Sequence, residues 1–274
     1  MTTLVEKSAT STVKGFVEVE NLSVSFRRKG QCIQVLDGID FKVHPGEFIC
    51  LLGPSGCGKS TVLNAIAGFV KPSGGHVFVD KRHVDTPGAD RGFVFQQYSL
   101  LPWKTTFQNV EFGLKIRGIS KTKRSEIVND YLNRVGLYKH RHSYPHQLSG
   151  GMQQRASIIR ALVNSPSVLL MDEPFAALDA QTRHMMQELL LSIWSDLKTT
   201  VIFVTHDIEE AIFLSDKIFV MGVNPGRIKA VLDAPLDRPR HVDIVLSPEA
   251  VQLNRQVFEL IREETIKSME VESL

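Results

Sequence analysis

The stretch Gly53-Pro-Ser-Gly-Cys-Gly-Lys-Ser-Thr61 constrains this chain more than any other. It fits the pattern G-x-x-x-x-G-K-[ST], a loop that holds phosphate. Gly53, Gly56 and Gly58 are open to backbone conformations closed to other residues, so successive N–H groups turn toward one anion. Pro54, Ser55 and Cys57 fill the variable positions between them. Lys59 reaches the β- and γ-phosphates as a cation, Ser60 offers a hydroxyl to Mg²⁺, and Thr61 adds a phosphate contact. The flanks agree. Phe48-Ile-Cys-Leu-Leu52 reads as a buried strand, and Thr61 to Ala67 as a helix whose positive N-terminal end favours phosphate. A fortuitous match to the pattern is expected in about one chain of this length in a hundred. The stretch therefore predicts a nucleotide's phosphates held between a strand and a helix.

With 274 residues and 43% hydrophobic content, the chain is large enough for one large or two modest domains with a core. Its 32 basic and 30 acidic residues leave a net charge of +2, and nothing points to nucleic acid as a partner. The short basic runs Arg27-Arg-Lys29 and Lys121-Thr-Lys-Arg124 read as solvated surface. Three cysteines, Cys32, Cys50 and Cys57, are too few and odd in number for a disulfide framework and suit a reducing compartment. Cys57, inside the loop, reads either as a small residue that fits or as an oxidation-sensitive switch. No apolar stretch approaches the roughly 20 residues that span a bilayer. Residues 1–15 are polar, rich in Ser and Thr and without an apolar signal core, and are expected to form a disordered N-terminal tail. Any link to a membrane is then expected through a partner.

Phe16 to Phe26 and Gln34 to Val43 alternate apolar and polar residues as half-buried strands do. Gly75 to Val79 and Arg91 to Phe95 continue the β pattern. From Thr106 to Asn164 the period becomes helical: Phe107 to Ile116, then Ile127, Tyr131, Leu132 and Val135 closed by Gly136, then Met152, Ala156, Ile159 and Val163 stopped by Pro166. Strand and helix then alternate: Val168–Met171, Gln187–Leu197, Thr200–Val204, Ile208–Leu214 and Lys217–Met221. Such alternation implies a mostly parallel sheet with helices on both faces. Beyond about Leu236 a polar stretch leads to a helix from Pro248 to about Ile266.

Five further motifs follow the loop in order. Gln96 ends a strand just before the helical block. Leu148-Ser-Gly-Gly-Met-Gln-Gln-Arg155 opens a helix. Val168-Leu-Leu-Met-Asp-Glu173 is an apolar strand that ends in two carboxylates. Phe175-Ala-Ala-Leu-Asp179 comes next, and Thr205-His206-Asp207 ends the following strand. On these motifs, from about Phe16 to Leu232, the sequence resembles the ATP-binding-cassette (ABC) ATPases. The resemblance implies an α/β fold: a RecA-like P-loop core with an antiparallel β subdomain and an inserted α-helical subdomain. The ATPase domain would cover 16–236, with helices at about 97–164, and a C-terminal helical tail would follow at 237–274.

The resemblance also implies roles. Asp172 would hold Mg²⁺ together with Ser60. Glu173 would be the general base for the attacking water. His206 would contact the γ-phosphate and organise that water, and Gln96 would touch Mg²⁺ and water and report to the helical subdomain. Phe26 occupies the position of an adenine-stacking aromatic that is often Tyr in the family; its other reading is a strand core residue. Ser149, Gly150 and Gly151 start a helix and present N–H groups. In the family that end faces ATP bound by a second subunit, in a head-to-tail dimer, and Asp179 belongs to the loop that crosses the interface. Without the family context, Ser149 and Asp179 read as helix caps.

The finer resemblance is to the bacterial importers of taurine, alkanesulfonates and nitrate. It rests on Pro87-Gly-Ala-Asp-Arg91, the run from Phe95 to Trp103, Asp172 to Asp179, His206-Asp-Ile-Glu-Glu-Ala211, and the Arg238-Pro-Arg240 tail. It implies an ATPase using ATP and Mg²⁺ on the cytoplasmic face of the inner membrane. Its partners would be a second copy or a paralogous ATPase, two transmembrane permease subunits and, indirectly, an extracytoplasmic binding protein. Leu100-Leu-Pro-Trp103 is a candidate contact surface for the permease; packing between subdomains is the other reading of Trp103. The cargo leans toward taurine or another sulfonate, with nitrate, pyrimidine precursors and vitamins open. The rival is a soluble ABC-type ATPase of DNA repair or translation. Against it stand the compact block between Gln96 and Ser149 and the single cassette.

Overall fold

The computed structural model describes residues 14–28 and 30–272, so the expected N-terminal tail lies almost wholly outside the described residues. Two sheets form the frame. In the first, β1 (Val17–Arg28), β2 (Gln31–Val43), β4 (Gly74–Val79) and β5 (Arg82–His83) pair antiparallel in the order β2-β1-β4-β5. The second contains β3 (Phe48–Leu52), β6 (Arg91–Val94), β7 (Val168–Asp172), β8 (Thr200–Thr205), β9 (Lys217–Gly222) and β10 (Arg227–Asp233). Its order is β10-β9-β3-β8-β7-β6, parallel except for β10.

The apolar runs of this second sheet sort by alternation. Ile49, Leu51, Leu170, Ile202, Val204, Phe219 and Met221 face one core, shared with Val62 and Ile66 of helix α1 (Lys59–Ala67) and with the first sheet. Cys50, Leu52, Leu169, Met171, Val201, Phe203, Ile218 and Val220 face the other core, shared with the remaining helices. Sheets covered on both faces need apolar residues at every position, which is why these strands show no alternation in sequence.

Between β6 and β7 lie α2 (Thr106–Ile116), α3 (Lys121–Arg134) and α4 (Gly150–Leu162). Thr105 and Gln108 form a reciprocal cap on α2: Gln108 N–H donates to Thr105 Oγ1 at 3.3 Å, and Thr105 N–H to Gln108 Oε1 at 3.0 Å. Gly136, at φ 68°, ends α3 as expected, with Leu137 N–H reaching back to Leu132 O at 2.8 Å. After β7 come α5 (Ala180–Leu197), α6 (Ile208–Leu214) and α7 (Pro248–Glu272).

Three expectations change. Helix α5 starts at Ala180, not Gln187, because Asp179 caps it and the first turns are polar. Helix α7 runs past Ile266 to Glu272. The edge strand β10 was not expected, because its side chains are half-exposed and carry little period.

The carboxyl ends of parallel strands collect the motif residues on one edge, where ligands bind in open α/β sheets. Leu52 is in register with Thr205, Asp172 with Val204, and Val94 with Met171. The phosphate loop, Asp172, Glu173, His206 and Gln96 therefore leave adjacent strands at the same edge.

Candidate active site

The loop begins where β3 ends and is wound by two glycines: Gly56 at φ 81° and Gly58 at φ 97°. Gly53 is required for another reason. Its φ is ordinary, but a Cβ there would lie 2.9 Å from both Cys57 Sγ and Met221 O. Helix α1 begins at Lys59 with no side-chain cap on Gly58, which leaves its first N–H groups directed at the loop's own concavity. Pro54 O accepts from Cys57 N–H at 3.4 Å, and Ser55 and Gly56 are exposed at the rim. Lys59 is only 5% exposed; its Nζ donates to Gly53 O at 2.7 Å and Pro54 O at 2.8 Å. Thr61 is half-buried one turn into the helix.

Ser60 and Asp172 meet: Ser60 Oγ donates to Asp172 Oδ1 at 2.9 Å. Burial pushes the Asp172 carboxyl above its ordinary value, and the neighbouring Glu173 charge adds to this, against the Ser60 hydrogen bond and the Lys59 charge. Glu173 and His206 also meet, with His206 Nδ1 3.2 Å from Glu173 Oε2. Glu173 sits at φ 42°, unusual for a residue with a side chain, and its N–H is held by Val204 O at 3.0 Å. That conformation turns the carboxylate out of the strand while β8 pins the backbone. His206, past the end of β8, is 57% exposed on its side chain.

Gln96 is exposed two residues beyond Val94, on the same edge as Glu173. Phe26 is 43% exposed, opposite Ile33 in the β1–β2 pair, so it is not a strand core residue. The same pair presses on the loop, since a Cβ at Gly58 would lie 2.5 Å from Leu36 Cδ2.

Ser149, Gly150, Gly151 and Asp179 come together in a second hollow, a groove of about 630 Å³ that none of the phosphate-loop residues lines. Both cap readings hold at the same time. Ser149 Oγ accepts Met152 N–H at 3.4 Å, and Asp179 Oδ1 accepts Thr182 N–H at 3.0 Å, which lowers the Asp179 carboxyl. Of the two readings of Cys57, the structure favours the small residue that fits. The thiol is 1% exposed, and burial pushes its pKa up, away from the reactive thiolate.

Two further residues, Arg183 and Asp207, belong to this region. Arg183 donates to Leu178 O at 3.1 Å and pairs with Asp207 at 3.4 Å, joining the segment before α5 to the residue after His206. Asp207 Oδ1 also caps α6 at Glu210 N–H, 3.1 Å away. The capping signal Asp-x-x-Glu was visible in the sequence at 207–210; the Arg183 contact, spanning 24 residues, carried no local signal.

A family model described as ABC transporter matches residues 36–176, from inside β2 to just beyond Glu173. The chain belongs to the ABC transporter family. It is an ATPase of that family, and ATP is its substrate. The nitrate import ATP-binding protein of Synechocystis is 43% identical over 252 residues, covering 90% of this chain and 95% of that protein. The taurine import ATP-binding protein of Rhizobium johnstonii is 47% identical over 249 residues, covering 90% and 94%. Among solved structures, a dimeric ATP-binding cassette in a post-hydrolysis state with ADP and Pi is 32% identical. It has a TM-score of 0.71 and covers 80% of this chain and 98% of its own.

Proposed function

We propose that this chain is the motor subunit of an importer for a small anion, either a sulfonate such as taurine or else nitrate, and that it hydrolyses ATP as one half of a head-to-tail pair. The observation that carries the reading is a division of labour. The phosphate loop, the Ser60–Asp172 pair and the Glu173–His206 pair share one edge, while Ser149 to Gly151 and Asp179 form a separate groove. A single chain offers two half-sites, and a second copy supplies the complement.

In this reading the loop N–H groups and Lys59 bind the β- and γ-phosphates, and Phe26 stacks on the adenine. Glu173 takes a proton from the attacking water, with His206 orienting both and Gln96 sensing the γ-phosphate. Positioning and charge neutralisation carry most of the rate in phosphoryl transfer. One hydroxyl and one partly buried carboxylate suit Mg²⁺, which takes few protein oxygens and completes its shell with phosphates and water. Ser60 and Asp172 would hold the ion, and its charge would be shared with the phosphate oxygens.

No helix among the described residues is long and apolar enough to cross a membrane; in this reading the membrane-spanning part is supplied by permease subunits. Trp103 is 70% exposed, which favours a contact surface over packing between subdomains. Two residues before it in sequence, Leu101 lines a groove with Phe93, Phe112 and Ile116, rimmed by Arg91, Arg117 and Arg160. The cargo reading rests on the names of the nitrate and taurine relatives. Affinity purification of the chain from its native membranes, followed by mass spectrometry, tests the assignment. A polytopic permease is expected, and its binding protein, titrated with taurine, other sulfonates and nitrate, names the cargo. Recovery of ribosomes or DNA-repair proteins alone would replace the importer with a soluble ATPase.

A further inference from the structure

The phosphate loop is gripped from two sides. On one flank are Val35 and Leu36 of β2. On the other is the turn between β9 and β10, Val223 to Gly226. Met221 O limits Gly53, and any side chain at Gly226 would collide with Cys57 O, so backbone of the turn lies against backbone of the loop. Gly226 also joins the two flanks: its N–H donates to Val35 O at 2.8 Å, and its O accepts from Asp37 N–H at 3.1 Å. A movement of this turn is therefore felt at Cys57.

The turn is held by a side chain from the far end of the sequence. Glu264, on α7, accepts Val223 N–H on Oε2 at 3.1 Å, and a Cβ at Gly222 would lie 2.9 Å from that oxygen. Its other oxygen, Oε1, pairs with Lys229 of β10 at 2.9 Å and Lys267 of α7 at 2.7 Å. The side chain is 4% exposed. Burial pushes its carboxyl up, but the hydrogen bonds from Lys267, Lys229 and Val223 outweigh this and bring it to about 2, so it is a fixed anion. A charged glutamate merely anchoring a helix needs the lysines; it does not need to reach a turn that abuts the phosphate loop.

We propose that Glu264 is a positioning residue for ATP binding: by fixing Val223 it sets the β9–β10 turn against Cys57, and so makes docking of the C-terminal helix a determinant of nucleotide affinity. This rests on the phosphate-loop reading of Gly53 to Thr61. Coupling between sites is reciprocal, so bound nucleotide also tightens the turn and the helix behind it.

The test is calorimetric titration of the full chain with Mg·ADP, alongside steady-state ATPase kinetics. Glu264→Ala is expected to weaken affinity at least fivefold, the lower end of ordinary intersite coupling, with kcat changed less than twofold. Glu264→Gln keeps an oxygen for Val223 N–H and is expected to restore affinity to within twofold, although it gives up the charge that pairs with the lysines. Unchanged affinity in a folded Glu264→Ala protein, or Glu264→Gln as weak as Glu264→Ala, overturns the proposal. Should Glu264→Ala not fold, amide exchange in the wild-type chain decides: saturating Mg·ADP is expected to slow exchange at Val223 at least fivefold, and an unchanged rate overturns the proposal. Lys59→Ala separates the two layers. Lost binding in Lys59→Ala beside intact binding in Glu264→Ala removes only the role of Glu264. Intact binding in Lys59→Ala removes the loop reading and this inference with it.

Discussion

Replacing Glu173 by Gln separates the chemistry of the site from its binding. The two side chains have the same shape, the φ of 42° and the Val204 bond involve only backbone, and His206 keeps an oxygen to meet. On the proposed reading, what disappears is the base. General-base catalysis supplies about 10²–10⁴ in rate, so hydrolysis is expected to fall by that factor, a barrier increase of about 3–5 kcal/mol. Binding moves the other way. After burial, the Glu173 charge is a cause of the raised Asp172 carboxyl, so its removal eases ionisation of Asp172 and lessens repulsion of the phosphates. Affinity for Mg·ATP at pH 7 is therefore expected to hold or tighten. Single-turnover hydrolysis with enzyme in excess measures the first effect, and equilibrium titration of Mg·ATP the second. Hydrolysis within threefold of wild type would refute Glu173 as the base; a tenfold loss of affinity would refute its separation from binding.

Other substitutions probe the frame around the site. Gly226→Ala drives a methyl group into Cys57 O and is expected to weaken Mg·ADP binding about tenfold or more in titrations, with the far sheet edge undisturbed. Asp172→Asn removes a carboxylate whose pKa is raised on folding. It is expected to raise the melting temperature of the chain without nucleotide at pH 7 while turnover is lost. That gain shrinks as pH falls through the raised folded pKa, because protonated Asp172 carries no penalty, and a pH series of melts reads it. Arg240 is buried and donates to the carbonyls of Ile212, Phe213, Ser215, Ala234 and Leu236, closing the C-terminal end of α6. Arg240→Met is expected to cost about 3 kcal/mol, since orphaned carbonyls cost about 1–3 kcal/mol each and water entering the hollow that Arg240 lines with Trp194 and Arg238 repairs some. Thermal melts should fall by about 6–12 °C.

Much of the site was legible because phosphate chemistry uses contiguous residues. The loop, the strand before it and the helix after it occupy one stretch, and the Asp-Glu and Thr-His pairs each terminate an apolar run. Helix α6 was bounded correctly because Asp207 caps it and Ser215 closes it. Failures came where local signal and tertiary contact diverge. The first two turns of α5 carry Gln181, Thr182, Arg183 and His184, which have no apolar period, and Met185 is exposed. The positive φ of Glu173 is imposed by β8 and has no residue-type signal. Glu264 reads in sequence as one more charge on a solvated helix, because the two lysines and the turn that bury it are remote or on another element. Arg240 reads the same way, as one of two surface-like arginines flanking Pro239.

Lys59 has a consequence for what the protein senses. Its ammonium rests on two carbonyl oxygens of the loop that it serves. A phosphate that draws it away trades those dipoles for full negative charges, so the number of hydrogen bonds scarcely alters and the gain is Coulombic. Such a gain grows with the charge of the polyphosphate, is blind to the base at its other end, and shrinks with ionic strength. On the phosphate-loop reading, this loop would gauge phosphate charge against a zero set by its own backbone.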